Sequence, residues 1–331
     1  MNEQHNILSF GELLLRLSSA GETFLGEGNG VTVFPGGSEA NVAASLGQWG
    51  LRCSYMSRIP DNELSKQVIQ VLHKLGVDTT PCLLEGDRLG LYFLLSANGL
   101  SKGEVVYDRK YSALSQLEPG MIDWDRVLEG YTWFHWSALT PALNTALAEV
   151  CKEALATAQR KGLTVSVDLN YRNKLWNYGK QPIEVMPDLL QYCDVVMGNI
   201  WAANKMLGTA VLETLGRDTP ADVYFEHATQ SAREIFDLIP RCKHVAYTFR
   251  FMDSPTHNLL YGTYHDRESN FISTIHETNE VVDRIGSGDA FMAGLIYALT
   301  AGKPGQEIVD TATSAGFKKL FVKGDFGDGE I

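Results

Sequence analysis

Trp133-Phe-His-Trp-Ser137, the helical pattern Thr145–Lys161 and Leu163-Thr-Val-Ser-Val-Asp168 make one strand–helix–strand unit. Two short runs rich in β-branched and aromatic residues flank a stretch of helical periodicity. The same alternation extends outward to strands at Ile7–Phe10, Cys53–Ser57, Asp194–Gly198 and His244–Phe249. Between most of them lie helices at Ser38–Gln48, Leu64–Leu75, Ile183–Leu190 and Ala228–Ile239. Strands alternating with helices of this length predict right-handed βαβ units, hence an α/β fold with a doubly wound, mostly parallel sheet. Ligands of such sheets sit beyond the carboxyl ends of the strands, so the residues just after each strand carry the most weight.

Two regions break the alternation. Leu13–Leu17 with Val31–Phe34, and Leu89–Ser96 with Glu104–Asp108, read as strands without helices between them. Asn98-Gly99 supplies a hairpin turn. These predict a small antiparallel sheet built from insertions 12–35 and 88–112, set as a lid on a single domain over residues 1–331. A lid that excludes water suits phosphoryl transfer, which otherwise competes with hydrolysis. A purely structural or dimer-forming sheet is the other reading, and exposed lid strands predict a homo-oligomer formed through the lid.

The composition is that of a globular protein: 331 residues, 44% hydrophobic and 21% charged. A net charge of −12 with scattered Lys and Arg argues against a nucleic-acid or anionic-membrane surface. The five cysteines stand apart without Cys-x-x-Cys spacing and read as thiols in a reducing cytoplasm. The polar N-terminus does not read as a signal peptide, and no stretch approaches the ~18 apolar residues of a membrane span. The eight histidines lack metal-ligand spacing, and His257 and His265 read as structural. No Gly-x-Gly-x-x-Gly follows the first strand, where Gly11-Glu12-Leu13-Leu14 stands instead, so a nicotinamide dehydrogenase is disfavoured.

Chemistry concentrates in Asp283-Arg-Ile-Gly286-Ser287-Gly288-Asp289, which leads into an apolar helix. Glycines 286 and 288 let backbone approach a ligand, and the free N–H groups of the helix start make an anion hole. A carboxylate there needs another task, and a base beside an attacking hydroxyl is such a task. A helix start held by the dipole predicts a low pKa for Asp289; a simple helix cap is its other reading. The second signal is Pro35-Gly36-Gly37-Ser-Glu-Ala-Asn41, a double glycine opening a helix of small residues, with Asn41 offering both a donor and an acceptor to sugar hydroxyls.

The pair Gly36-Gly37-x-x-x-Asn41 and Gly286-Ser-Gly288-Asp289 resembles the signature of the ribokinase-like (PfkB) sugar kinases over essentially the whole chain. The resemblance implies an ATP-dependent kinase with Asp289 as base and the 286–288 amides as anion hole. Asp168-Leu-Asn170-Tyr-Arg172 ends the fourth strand, and Tyr107-Asp-Arg109 ends a lid strand. Two arginines converging from core and lid would clamp a carboxylate, although surface ion pairs are the common fate of arginine. Within the family this pattern most resembles 2-keto-3-deoxygluconate kinases, which implies acid-sugar contacts from Asn170, Arg172, Tyr107, Arg109 and a lid tyrosine, Tyr92. A neutral-sugar kinase such as a fructokinase, and a non-catalytic sugar-binding or regulatory protein, stay open as rivals.

The departures fall on the nucleotide side, which the resemblance assigns to Asp283, Asn199, Thr248 and Arg250. Where the family carries Asn-x-x-Glu this chain has Asn199-Ile-Trp-Ala202, and Thr-x-Gly appears as Thr248-Phe-Arg250. Arg284 follows Asp283 where a small residue is usual. With the glutamate gone, no metal ligand is assigned, and Mg²⁺ is expected to be held through ATP phosphates and water. Whether a monovalent cation binds beside the 283–289 loop is left open by the sequence.

Overall fold

The computed structural model describes residues 5–19, 24–25, 30–95 and 104–331. The first half contains β1 (Asn6–Phe10), β2 (Leu14–Ser19), β3 (Val31–Gly36), α1 (Ser38–Gln48), β4 (Arg52–Met56), β5 (Arg58–Ile59), α2 (Glu63–Lys74) and β6 (Val77–Asp78). Then come β7 (Leu83–Leu84), β8 (Gly90–Leu94), β9 (Val105–Asp108), α3 (Trp124–Val127), β10 (Trp133–Ser137), α4 (Thr145–Arg160) and β11 (Thr164–Asp168). The rest comprises α5 (Pro182–Leu190), β12 (Val195–Gly198), α6 (Ile200–Leu207), α7 (Ala221–Leu238) and β13 (His244–Phe251). After it follow β14 (Asn258–Asp266), β15 (Asn270–Ile272), β16 (His276–Thr278), α8 (Ser287–Thr300) and α9 (Gly305–Lys318).

The large sheet runs β15-β14-β13-β12-β11-β10-β1-β4-β6, with β16 also on β14. From β6 to β13 every pairing is parallel, and β14 turns antiparallel. Buried on both faces, its strands read as near-continuous apolar runs, such as Val-Val-Met in β12. On one face β11 and β12 pack with α4, α5, α6 and α7 through Val167, Leu155, Met186 and Tyr224; on the other lie α1, α2, α8 and α9 with Val42, Leu72, Phe291 and Val309. α7 begins seven residues before the predicted Ala228, because Pro220 at its N-cap fixes an extended entry and the helix starts at once behind it.

The lid sheet runs β3-β2-β8-β9. β2–β3 and β8–β9 are antiparallel, as predicted, while the two insertions meet through a parallel β2–β8 pair. The turn expected at Asn98-Gly99 lies outside the described residues. Among the described residues no helix is long and apolar enough to cross a membrane. His257 and His265 are buried hydrogen-bonding groups, paired with Glu277 and with Asn270 and Thr263.

Candidate active site

A cleft of about 600 Å³ opens between the carboxyl ends of β11–β13 and the lid. Its floor is the start of α8. Gly286 adopts φ 82, a left-handed backbone that glycine takes without strain, and the helix begins at Ser287. The first intrahelical bond runs from Ala290 N to Gly286 O at 2.8 Å, and Ser287 N makes a long bond to Arg284 O at 3.5 Å, so the orphan amides of the helix start are those of Gly288 and Asp289, which line the cleft with Gly286. Ser287, expected at the site, is buried and does not line the cleft, and its hydroxyl donates to Gly316 O at 2.8 Å.

Asp289 is held by two donors from the start of α1. Ser38 Oγ donates to Oδ1 at 2.7 Å and Asn41 Nδ2 to Oδ2 at 2.7 Å. These bonds answer the cap alternative: Asp289 is tied to another helix across the cleft floor. Burial nevertheless pushes its pKa up, against the downward pull of Asn41, Ser38 and Arg172. The low pKa expected from the helix dipole is therefore corrected, because desolvation outweighs the dipole at this depth. Asn41 spends its amide N–H on Asp289, and among the described residues its Oδ1 has no hydrogen-bond partner.

Ser38 was not singled out by any motif, yet it links three elements. It also accepts from Asn170 Nδ2 at 3.0 Å, and Asn170 N donates to Asp168 Oδ1 at 2.9 Å. Asn170 sits at φ 29, a strained conformation for a non-glycine residue that Asp168 and Ser38 together hold. Below it Glu39 accepts from Ser137 Oγ at 2.6 Å. Burial pushes Glu39 up to about 7, and burial with the neighbouring Asp289 does the same for Asp168.

The double glycine has two separate roles. Gly37 (φ 139) lines the cleft and passes so close to Glu12 O that a Cβ would lie 2.3 Å from it. Gly36 does not line the cleft. A Cβ there would lie 2.4 Å from Asp325 Oδ1, and one on Gly286 would lie 2.4 Å from Asp325 O. Asp325 accepts from Tyr92 Oη at 2.7 Å and pairs with Arg16 Nε at 2.8 Å, while Arg16 Nη2 reaches Asp283 Oδ2 at 2.8 Å. The segment around Asp325 thus fastens lid strands β2 and β8 to the loop before α8, a role that no sequence pattern announced.

This network corrects the nucleotide assignment of Asp283. It is fully buried, spent on Arg16, Ile285 N and Gly324 N, and does not line the cleft. Tyr92 lines the cleft with its hydroxyl already committed to Asp325, and Tyr107 lines it nearby, the ring centroids 6.4 Å apart.

The two predicted clamp arginines both line the cleft but differ in kind. Arg109 is buried and its Nε donates to Glu12 Oε2 at 2.5 Å, with Ser112 on the other Glu12 oxygen. Its charge is balanced by that carboxylate, so it is not the free cation the motif suggested. Arg172 is exposed at the mouth, with a hydrogen bond to Tyr171 O at 3.1 Å. Lys174 bridges to Glu104 and to Val105 O, each at 3.0 Å, and so ties the core to the lid edge.

On the far side, Asn199, Thr248 and Arg250 line the cleft at the ends of β12 and β13. Asn199 caps α6 by accepting from Ala202 N at 2.8 Å, and Thr248 Oγ1 donates to Gly198 O at 3.4 Å. Arg250 reaches solvent, yet the protein packed around its guanidinium and the like charges of Arg172 and Arg284 draw its pKa down to about 10. Arg284 donates to Ser254 O and His257 O. Ala202 is buried in the apolar core and does not line the cleft.

The pfkB family carbohydrate kinase model matches residues 4–228 and 260–325. The chain belongs to the pfkB family of carbohydrate kinases. A 2-dehydro-3-deoxygalactonokinase of Haloferax volcanii is 27% identical over 322 residues, covering 96% of this chain and 92% of that protein. A 2-dehydro-3-deoxygluconokinase of Bacillus subtilis is 26% identical, over 87% of this chain and 81% of that protein. The crystal structure of a 2-dehydro-3-deoxygluconokinase from Thermotoga maritima superposes with a TM-score of 0.88 at 34% identity, covering 98% of this chain and 96% of that one. This pfkB-family chain is a phosphotransferase acting on a sugar hydroxyl.

Proposed function

We propose that this kinase transfers the γ-phosphoryl group of ATP to the 6-hydroxyl of 2-keto-3-deoxygluconate. The observation that carries the reading is the buried Asp289 carboxylate, held by Ser38 and Asn41 at the start of α8 in a cleft that Arg172 also lines. A carboxylate has about four lone-pair sites. With two donors in place, Asp289 retains capacity for the substrate hydroxyl. It takes the hydroxyl proton as the oxygen attacks the γ-phosphorus, and the bond to the bridging oxygen of ADP breaks. In a loose transition state, positioning and charge neutralisation matter more than base strength. The amides of Gly288 and Asp289 would receive the transferring group and Arg250 the polyphosphate, a reading supported by their shared place in the cleft lining. Asn41 Oδ1 is the acceptor for a sugar hydroxyl, and Asn170 and Tyr107 shape the wall around it.

Kinases of this family use ATP, and Mg²⁺ is typical of them. Among the described residues no three His, Cys, Asp or Glu side chains are grouped as metal ligands. Mg²⁺ would enter on the ATP phosphates. Acid-sugar preference rests on Arg172, which among the described residues has no carboxylate ion pair such as Arg109 has in Glu12, and on relatives named for 2-keto-3-deoxy acids. A lid-to-lid homodimer belongs to the same reading, supported by the exposed Val31, Val33 and Val106 on the lid strands.

A substrate panel under ATP and Mg²⁺ tests this. The 2-keto-3-deoxy acids of gluconate and galactonate should exceed fructose and ribose in kcat/KM by at least ~10²-fold. Arg172→Ala should raise KM about 10-fold or more for the acid and hardly at all for a neutral sugar. Equal use of fructose would overturn the acid-sugar reading, and no sugar-dependent ADP with any member would favour a non-catalytic protein.

A further inference from the structure

A buried ammonium sits behind the anion hole and takes no part in the transfer itself. α9 ends at Lys318, and Lys319 opens a turn whose Leu320 carbonyl accepts from Val282 N at 2.8 Å and Asp283 N at 3.1 Å. The turn is thereby stitched to the segment that runs into Gly286. Lys319 is only 3% exposed, and its Nζ donates to Val322 O at 2.9 Å and Gly324 O at 2.8 Å. Asp283 closes the same loop from the other side, accepting from Ile285 N and Gly324 N, each at 3.0 Å. A Cβ on Gly286 would lie 3.2 Å from Lys319 Cε, so the lysine arm runs directly behind the anion-hole glycine.

Converging backbone carbonyls replace the hydration shell of a monovalent cation, and nearby carboxylates supply the balancing charge. That is the environment here, with a tethered ammonium in the place of the ion. We propose that Lys319 is a built-in monovalent cation, a positioning residue that holds the 283–289 loop in its anion-binding shape and frees the kinase from any need for K⁺ or Na⁺. Burial draws the Lys319 pKa down while Asp283 and Asp325 work against that, as expected for an ammonium kept by its neighbours. Four buried charges meet here, Arg16 and Lys319 against Asp283 and Asp325. Deleting the ammonium removes the donor from two carbonyls and leaves an excess negative charge in a dry site. A soluble cation of similar size would then be drawn into the space.

The test compares wild type and Lys319→Ala in KCl, NH₄Cl, methylammonium chloride and choline chloride at equal ionic strength. Wild-type Tm and kcat should agree within about 1 °C and ~1.5-fold across the salts. Lys319→Ala should melt several degrees lower in choline, and K⁺, NH₄⁺ or methylammonium should restore at least about half of that loss. Its kcat on 2-keto-3-deoxygluconate should fall roughly 10²-fold and recover in parallel, with KM for ATP little changed. A lysine that merely supports the fold would show no preference among cations. Several-fold activation of the wild type by K⁺ overturns the proposal. So does a variant that no cation rescues, including one that fails to fold in every salt. The melting measurements need no sugar, so they stand or fall separately from the substrate reading.

Discussion

Replacing Asp289 with Asn separates the chemistry of the site from its architecture. The substitution keeps shape, and its carbonyl oxygen can still accept from Asn41 Nδ2 while its amide turns to Ser38 Oγ, the two groups now 2.7 Å from the carboxylate oxygens. The negative charge and the capacity to accept a proton are lost, and the Ser38 O–H gives up its acceptor. A positioned base contributes typically ~10²–10⁴ in rate, and the loose transition state of phosphoryl transfer favours the lower part of that range. A fall in kcat of about 10²–10³, or roughly 3–4 kcal/mol of barrier, is therefore expected. Stability should move the other way. The folded state raises the Asp289 pKa, so the ionised carboxylate is disfavoured by its burial, and an amide removes that cost. Tm at pH 8 should thus hold or rise while kcat collapses. ADP release measured at saturating ATP and sugar acid, alongside thermal melting and ATP binding, reads all three. Turnover within ~5-fold of wild type would refute the base assignment, and a matching loss of Tm would make the effect structural.

The other expectations concern the groups around that carboxylate. Ser38→Ala removes one of two hydrogen bonds to Asp289 and the partner of Asn170, so kcat should fall about 10-fold and the acid limb of the pH–rate profile should move to higher pH; an unmoved limb would rule out coupling of Ser38 to the base. Glu39 is raised from 4.5 to about 7 in the folded state. Between pH ~4 and ~7 the native protein therefore holds a proton that the unfolded chain has released, and stability declines as pH rises through that window. Glu39→Gln should flatten that decline in melts between pH 5 and 8 and recover up to about 3 kcal/mol at pH 8, and an unchanged slope would show that Glu39 is not the titrating group.

The mostly parallel sheet with its alternating helices, and the small antiparallel sheet beside it, were legible because each rests on local signals. β10, α4 and β11 emerged within one residue of their predicted ends, since short apolar runs and helical periodicity are properties of neighbours in sequence. The two glycine motifs pointed to Asp289 and Asn41 for the same reason. What stayed hidden depends on pairings across the chain. Arg16 meets Asp283 and Asp325, Glu12 meets Arg109, and Lys319 cages two carbonyls, with nothing in local spacing to announce these partners. Glu12 also accounts for the misread charge of Arg109, because an arginine's partner cannot be seen until the fold brings it close. The direction of the Asp289 shift was missed likewise, since burial is set by packing of the lid and α1 over the helix start, and the dipole alone is visible in sequence.

Asp325 has a further meaning for how the molecule is made. Every other residue of the cleft precedes it in the chain, yet Gly36, Gly286 and both inner lid strands are shaped around it. During synthesis the parallel sheet can form before that segment leaves the ribosome, but Tyr92 and Arg16 must wait for their carboxylate. A nascent chain would therefore carry an unlatched lid and an unsupported phosphate site until the last stitch is in place. Catalytic competence would then arrive late and all at once.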